Sequence, residues 1–139
     1  MADHVKPTLS TKNPYWISRH RYYELKHFCL QYPEWRKAYL ALEDMSKAAA
    51  VKIERESSTN EYSDPTAKFA LRMTEYSKKM KLIEDLVIEA DEDLSDYIFK
   101  AVTEGRSYSY LKAKLEIPCG RDMFYDRCRR FYWLLSKER

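Results

Sequence analysis

From Phe69 to Ala90 the apolar positions fall at Phe69, Met73, Tyr76, Met80, Ile83, Val87 and Ala90, alternately four and three residues apart. This is the period of a helix with one apolar seam, and a seam sustained over about three heptads lies on a partner helix. Asp64 and Pro65 supply a capping residue and a first-turn proline, so the helix is predicted over 65–90. The seam's partner is either the preceding helix, folded back as an antiparallel hairpin, or the same helix of a second subunit. A similar rhythm at Phe124, Cys128, Phe131 and Leu135 predicts a last helix from about Arg121 to the C terminus.

The remaining elements follow from punctuation. Asn13 and Pro14 predict a helix from there to about Leu30, with Trp16, Ile17, Tyr22, Tyr23, Leu25, Phe28 and Leu30 as a broad apolar surface and Arg19, Arg21 and Lys26 in solvent. Tyr32 and Pro33 break it and open a second helix on Trp35, Ala38, Leu42, Met45, Ala49 and Ile53. Ser57–Ser63 reads as the main interior loop, and the polar stretch 1–12 as a loose arm. The acids Asp91, Glu92 and Asp93 suit the start of a helix that buries Leu94, Tyr97, Ile98, Ala101 and Val102. Gly105 stops it, Ser107 caps a short helix through Leu115, and 116–120 turn the chain. The expected fold is therefore all-α: a helical hairpin or bundle, then a trihelical helix-turn-helix. Its regions would be an arm (1–12), an N-terminal helical region (13–90) and a helix-turn-helix region (91–139).

Composition agrees with helix, since the 139 residues include only two glycines and five prolines. Net charge is a modest +3, but it is unevenly placed. Residues 1–40 carry seven basic and three acidic side chains, 41–105 nine and fifteen, and 106–139 nine and four. Basic ends thus flank an acidic middle. The three cysteines are odd in number and widely spaced, with no apolar leader after Met1, which predicts reduced thiols in a cytoplasm. No apolar run approaches the ~20 residues of a membrane span.

A helix-turn-helix needs a supporting helix across the DNA backbone, a tight turn, and a second helix that offers its N-terminal half to the major groove. With Phe124, Cys128, Phe131 and Leu135 inward, Arg121, Asp122, Tyr125, Arg129 and Trp133 face outward, beside Asp126 and Arg130. An arginine there can donate two hydrogen bonds to a guanine edge. Arg121 is the leading base reader, followed by Tyr125 and Arg129, with Arg130 nearby. Arg106, Ser107, Tyr108 and Lys112 belong to the supporting helix, where phosphate contacts fix register. Asp122 and Asp126 oppose phosphate unless Asp126 pairs with Arg130 or one of them accepts from a cytosine amino group. Without DNA contact, the same pattern is a helical hairpin with a solvated basic face.

The segments DPTA, KLIEDLVIEAD, VTEGRSYSYL and, above all, IPCGRDMFYDRCRRFYWLL resemble the phage transcriptional regulators of the RinA and ArpU kind. Those are late-gene regulators whose C-terminal part is similar to the region-four helix-turn-helix of sigma factors. The resemblance covers a little over half of the chain. It implies that Tyr108–Leu115 support and Arg121–Arg130 face the groove, in the cytoplasm of a bacterial host. Nothing corresponds to the promoter-melting part of a sigma factor, so initiation by this chain alone is not expected. The aromatic, basic segment 13–39 lies outside the match; an aromatic stripe at helical spacing is core more often than a second nucleic-acid surface.

The expected partners are duplex DNA, host RNA polymerase and a second copy through the 65–90 helix, without a membrane. Two other readings stay open: an interaction protein that docks on host RNA polymerase, a nuclease or another phage protein without touching DNA, and a DNA-packaging recognition subunit. No enzyme, cofactor or metal site is expected. His20 and His27 lack companion ligands, Cys119 and Cys128 lack a partner base, and no glycine-rich phosphate loop occurs.

Overall fold

A computed structural model describes residues 11–55 and 65–139, with side chains up to residue 52 and from residue 67 on either side of the gap. Six α-helices make up its regular structure: α1 (Arg19–Leu30), α2 (Tyr32–Arg55), α3 (Pro65–Ala90), α4 (Ser95–Glu104), α5 (Tyr108–Leu115) and α6 (Arg121–Glu138). The fold is all-helical, as the periodicity requires. The expected loop at Ser57–Ser63 and most of the 1–12 arm lie outside the described residues.

The chain forms two compact units. One comprises the described residues up to Tyr32 together with Leu82–Arg139; the other is Pro33–Lys81. A boundary near 90 is therefore corrected: α1 and the end of α3 belong with the C-terminal helices. Periodicity marks which residues seek burial, but it does not say which distant element covers them.

In the first unit α1 packs on α4 and α6, and α4 on α6. Tyr22, Leu25, Phe28 and Cys29 are the buried face of α1. Phe124, Cys128, Phe131 and Leu135 on α6 are all at most 1% exposed, and Tyr132 and Leu134 join them. Edge-to-face rings add geometry to that packing: Tyr22 meets Tyr132 at 5.1 Å, and Tyr32 meets Phe99 at 4.9 Å. Arg139 lies 3.8 Å from the centre of the Phe28 ring, bringing the end of the chain onto α1.

The start of α1 differs from expectation. Asn13 closes a turn, accepting from Tyr15 N at its side chain and from Trp16 N at its carbonyl, and Ser18 caps the helix by accepting from Arg21 N. Trp16 thus precedes the helix and is 41% exposed. Two capping residues competed, and the later one, adjoining the buried run, won.

Asp91 joins α3 to α4. One carboxylate oxygen accepts from the amides of Asp93 and Leu94, and the other accepts from Arg127 Nε of α6 at 3.0 Å. At the other end of α4, Gly105 adopts φ +71°, and its N–H reaches Ala101 O while that of Arg106 reaches Lys100 O. Only glycine takes that left-handed geometry without strain.

In the Pro33–Lys81 unit, Trp35 and Leu42 are buried, Ala38 and Ala49 are half-buried, and Met45 is exposed. Lys79 Nζ lies 5.5 Å from the centre of the Trp35 ring, which sets the beginning of α2 beside the middle of α3. That is the contact expected of an antiparallel fold-back. The seam positions Phe69, Met73, Tyr76 and Met80 are only half-buried.

Candidate nucleic-acid interface

The α5–turn–α6 segment is built by three local devices. Ser107 caps α5 by accepting from Tyr110 N at 3.1 Å. Glu116 ends it in a left-handed conformation, φ 53°, and Ile117 N returns to Leu111 O. Tyr108 Oη donates to Cys119 O at 2.7 Å, tying the turn to the first residue of α5, and its ring lies 5.9 Å from that of Phe124. Leu111, Ile117 and Phe124 sit beneath, each at most 1% exposed. The special backbone position in this turn is Glu116. Gly120, in extended geometry, serves as the N-cap of α6.

This construction corrects the role expected for Tyr108. Its side chain is buried and its hydroxyl is committed to the turn, so it braces α5 against α6 and does not reach outward. Arg121 is exposed at the first turn of α6; it spans back to α5, with a nitrogen 3.3 Å from Ser109 Oγ and its guanidinium 5.3 Å from the centre of the Tyr108 ring. The structure thereby brings Arg121 onto Ser109 and Tyr108 of α5. Lys112 is exposed on α5. Arg106 is also exposed, with its guanidinium on the Tyr110 ring at 4.4 Å and Glu104 Oε1 3.6 Å from its Nε.

The remaining α6 residues are less uniform. Tyr125 is half-buried and lines a cleft toward α1. Arg129 and Arg130 are half-buried, and the Nε of Arg129 is enclosed with no hydrogen-bond partner. A buried donor left so is a point of tension that only part of the guanidinium can relieve. Asp126 does not pair with Arg130; it accepts from Arg127 Nη1 at 2.9 Å, within the pair that Arg127 also makes with Asp91. One of the two aspartates on α6 is thus neutralised by a cation pinned to the α3–α4 junction. Asp122 and Met123 stand exposed beside Arg121.

Sequence reasoning missed Ser109, whose only signal is its place one turn before Lys112, and the approach of α1 to α6. At the far end of α6, Trp133 lies 5.6 Å from Tyr15 and carries Lys137 Nζ 3.2 Å from its ring centre. No local pattern announces those contacts.

The thiols of Cys29 and Cys128 are pushed far above their ordinary range by burial, and that of Cys119 is raised by the same cause less completely. Cys29 and Cys128 behave as small buried hydrophobes, in contrast to the low-pKa thiols of nucleophilic sites, while Cys119 is half-buried in the turn. Burial likewise holds the phenols of Tyr22 and Tyr132 neutral. Among the described residues, no cluster of three metal-ligating side chains occurs, and no helix is long and apolar enough to cross a membrane. In comparisons with known proteins, no family model, curated protein or solved structure matches the chain.

Proposed function

We propose that the chain binds duplex DNA sequence-specifically through α5, the 116–120 turn and the first half of α6, as a phage or prophage transcriptional regulator in a bacterial cytoplasm. One observation carries this reading: a short capped helix is locked by Tyr108 and Cys119 to a longer helix whose first turn exposes Arg121 beside Ser109. That is the rigid two-helix presentation that groove recognition demands. Arg121 reads a base edge. Arg106, Ser107 and Lys112 hold phosphates, and Arg130 extends that line, while Arg129 contributes through the edge of its guanidinium.

The test is duplex binding over a salt series. Log affinity should fall linearly with log salt. Arg121→Ala should lower discrimination between sites by ~1–3 kcal/mol, and Lys112→Ala should weaken all duplexes alike and flatten the slope. A salt-independent parent, or two variants that match it on every duplex, contradicts the reading.

A second reading concerns protein contact. Leu40, Met45, Val51 and Leu71 are all about half exposed or more in the Pro33–Lys81 unit, where only Trp35 and Leu42 are buried among the described residues. We propose that this unit meets a protein, either a second copy through α3 or host RNA polymerase. Sedimentation at rising concentration distinguishes the two, because only self-association depends on the concentration of the chain alone.

A further inference from the structure

Between α1, the α4–α5 junction and α6 the first unit opens a cleft of which the DNA-contact surface described so far includes only Arg106. Lys26 of α1 and Arg106 of the junction both line it, together with Tyr125 of α6 and the buried phenols Tyr22 and Tyr132. Its lining contains two cations and no carboxylate. The carboxylate of Glu104, 3.6 Å from Arg106 Nε, belongs to an exposed pair that water screens. The Arg106 guanidinium lies over the Tyr110 ring, 4.4 Å from its centre, and Lys26 Nζ lies 5.9 Å from the centre of the Tyr23 ring. Both cations are thereby oriented on aromatic faces before any ligand arrives, which lowers the entropy cost of fixing long side chains. Tyr125 adds a hydroxyl, and Ser107, next to Arg106, begins α5 with its positive dipole end.

We propose that this cleft seats one phosphodiester of the duplex, held jointly by Lys26 and Arg106 with Tyr125 donating, so that α1 is part of the DNA-binding surface. This rests on the DNA reading above and extends it to a helix outside the helix-turn-helix. A phosphodiester fits because it is a compact oxyanion with several acceptors, matching one ammonium, one planar guanidinium and one hydroxyl. The neighbouring Ser107 cap lies on the phosphate-contacting edge, so one strand can run from the cleft to the start of α5. Tyr125 accordingly acts on the backbone, and its side chain does not read bases.

The shared phosphate makes an unusual prediction for the salt slope. Neutralising one phosphate contributes about 0.9 to it. If Lys26 and Arg106 hold the same phosphate, either alanine variant leaves that phosphate still contacted. Each single change then weakens binding several-fold on all sequences but lowers the slope by less than about 0.9, and the double variant lowers it by about 0.9 in total. Lys26→Arg should retain affinity, and Lys47→Ala, in the other unit, should match the parent. Circular dichroism and thermal melting establish that the variants remain folded.

A double variant that loses about 1.8 means two separate phosphates and overturns the shared site. Lys26→Ala binding with parental affinity and slope removes α1 from the interface while leaving the helix-turn-helix reading standing. A parent that binds no duplex removes both. Thermal stabilisation by inorganic phosphate that requires Lys26, with both duplex affinity and slope unchanged for Lys26→Ala, assigns the cleft to free phosphate and also overturns the proposal.

Discussion

Residues 69–80 and 83–90 belong to one helix and repeat one alternation of fours and threes, yet they meet different surroundings. Phe69, Met73, Tyr76 and Met80, in the Pro33–Lys81 unit, remain half-buried, whereas Ile83, Val87 and Ala90, in the other unit, are at most 5% exposed. The same difference runs through both units. The unit holding α1, the end of α3, α4, α5 and α6 closes over three phenylalanines, two cysteines and several leucines, although Trp16, Ile88, Leu115 and Met123 stay exposed on it; among the described residues of the other, only Trp35 and Leu42 are buried, and Leu40, Met45, Val51 and Leu71 stay exposed. A seam therefore records an appetite for burial, and the amount obtained depends on how many helices converge there. Five helical elements contribute to the first unit, whereas the described residues of the second come from α2 and the first part of α3.

The largest effect should come from the core of α6. Phe131→Ala removes a fully buried ring and is expected to cost about 3–5 kcal/mol in urea unfolding, whereas Met73→Ala should cost about 1 kcal/mol or less. The thiols provide an independent readout, since native Cys29 and Cys128 react only on opening. Their alkylation at mildly alkaline pH should speed up at least about a hundredfold in Phe131→Ala, because each 1.4 kcal/mol is a tenfold change, and should scarcely move in Met73→Ala. Equal losses from the two substitutions would erase the contrast.

Asp91 comes next. Its replacement by Ala removes the cap on the amides of Asp93 and Leu94 and releases Arg127, for an expected loss of about 1–2 kcal/mol. Because Arg127 also covers Asp126, the same variant should weaken duplex binding slightly, a coupling that Phe131→Leu should not show.

The smallest effect is expected at Glu116. Its left-handed backbone, φ 53°, favours glycine, so Glu116→Gly should stabilise by a few tenths to about 1 kcal/mol, less whatever the freer unfolded chain takes back. A loss of stability would mean that the Glu116 side chain has a role its exposed position does not suggest.

Much of this architecture was legible in the sequence, for a physical reason. Where the apolar period meets a turn or capping signal, as in α3, α5 and α6, boundaries follow within a residue or so; at α5 the Ser107 hydroxyl supplies the cap. Where they conflict the reading slips: Asn13 and Pro14 resemble a helix start, but the buried run at Tyr22, Leu25, Phe28 and Cys29 begins beyond Ser18. Long-range partners were not legible. That α1 belongs with α6, that Asp126 pairs with Arg127, and that Tyr108 turns inward to Cys119 depend on which elements meet in space, and no spacing along the chain encodes that. In the candidate interface, exposure at Lys112 and Arg121 follows the helical pattern, and Arg106 is exposed in the junction before α5. The inward turn of Tyr125 and the partial burial of Arg129 come from α6 lying under α1.

The central claim is that the unit with α5 and α6 recognises particular duplex sequences. Selection of bound duplexes from a random pool at moderate salt tests it most directly, with the parent and Arg121→Ala run side by side. The account predicts a defined motif enriched by the parent and blurred at one or more positions by the variant. Recovery of the unenriched pool by the parent, at salt concentrations where the folded chain is stable, would contradict it.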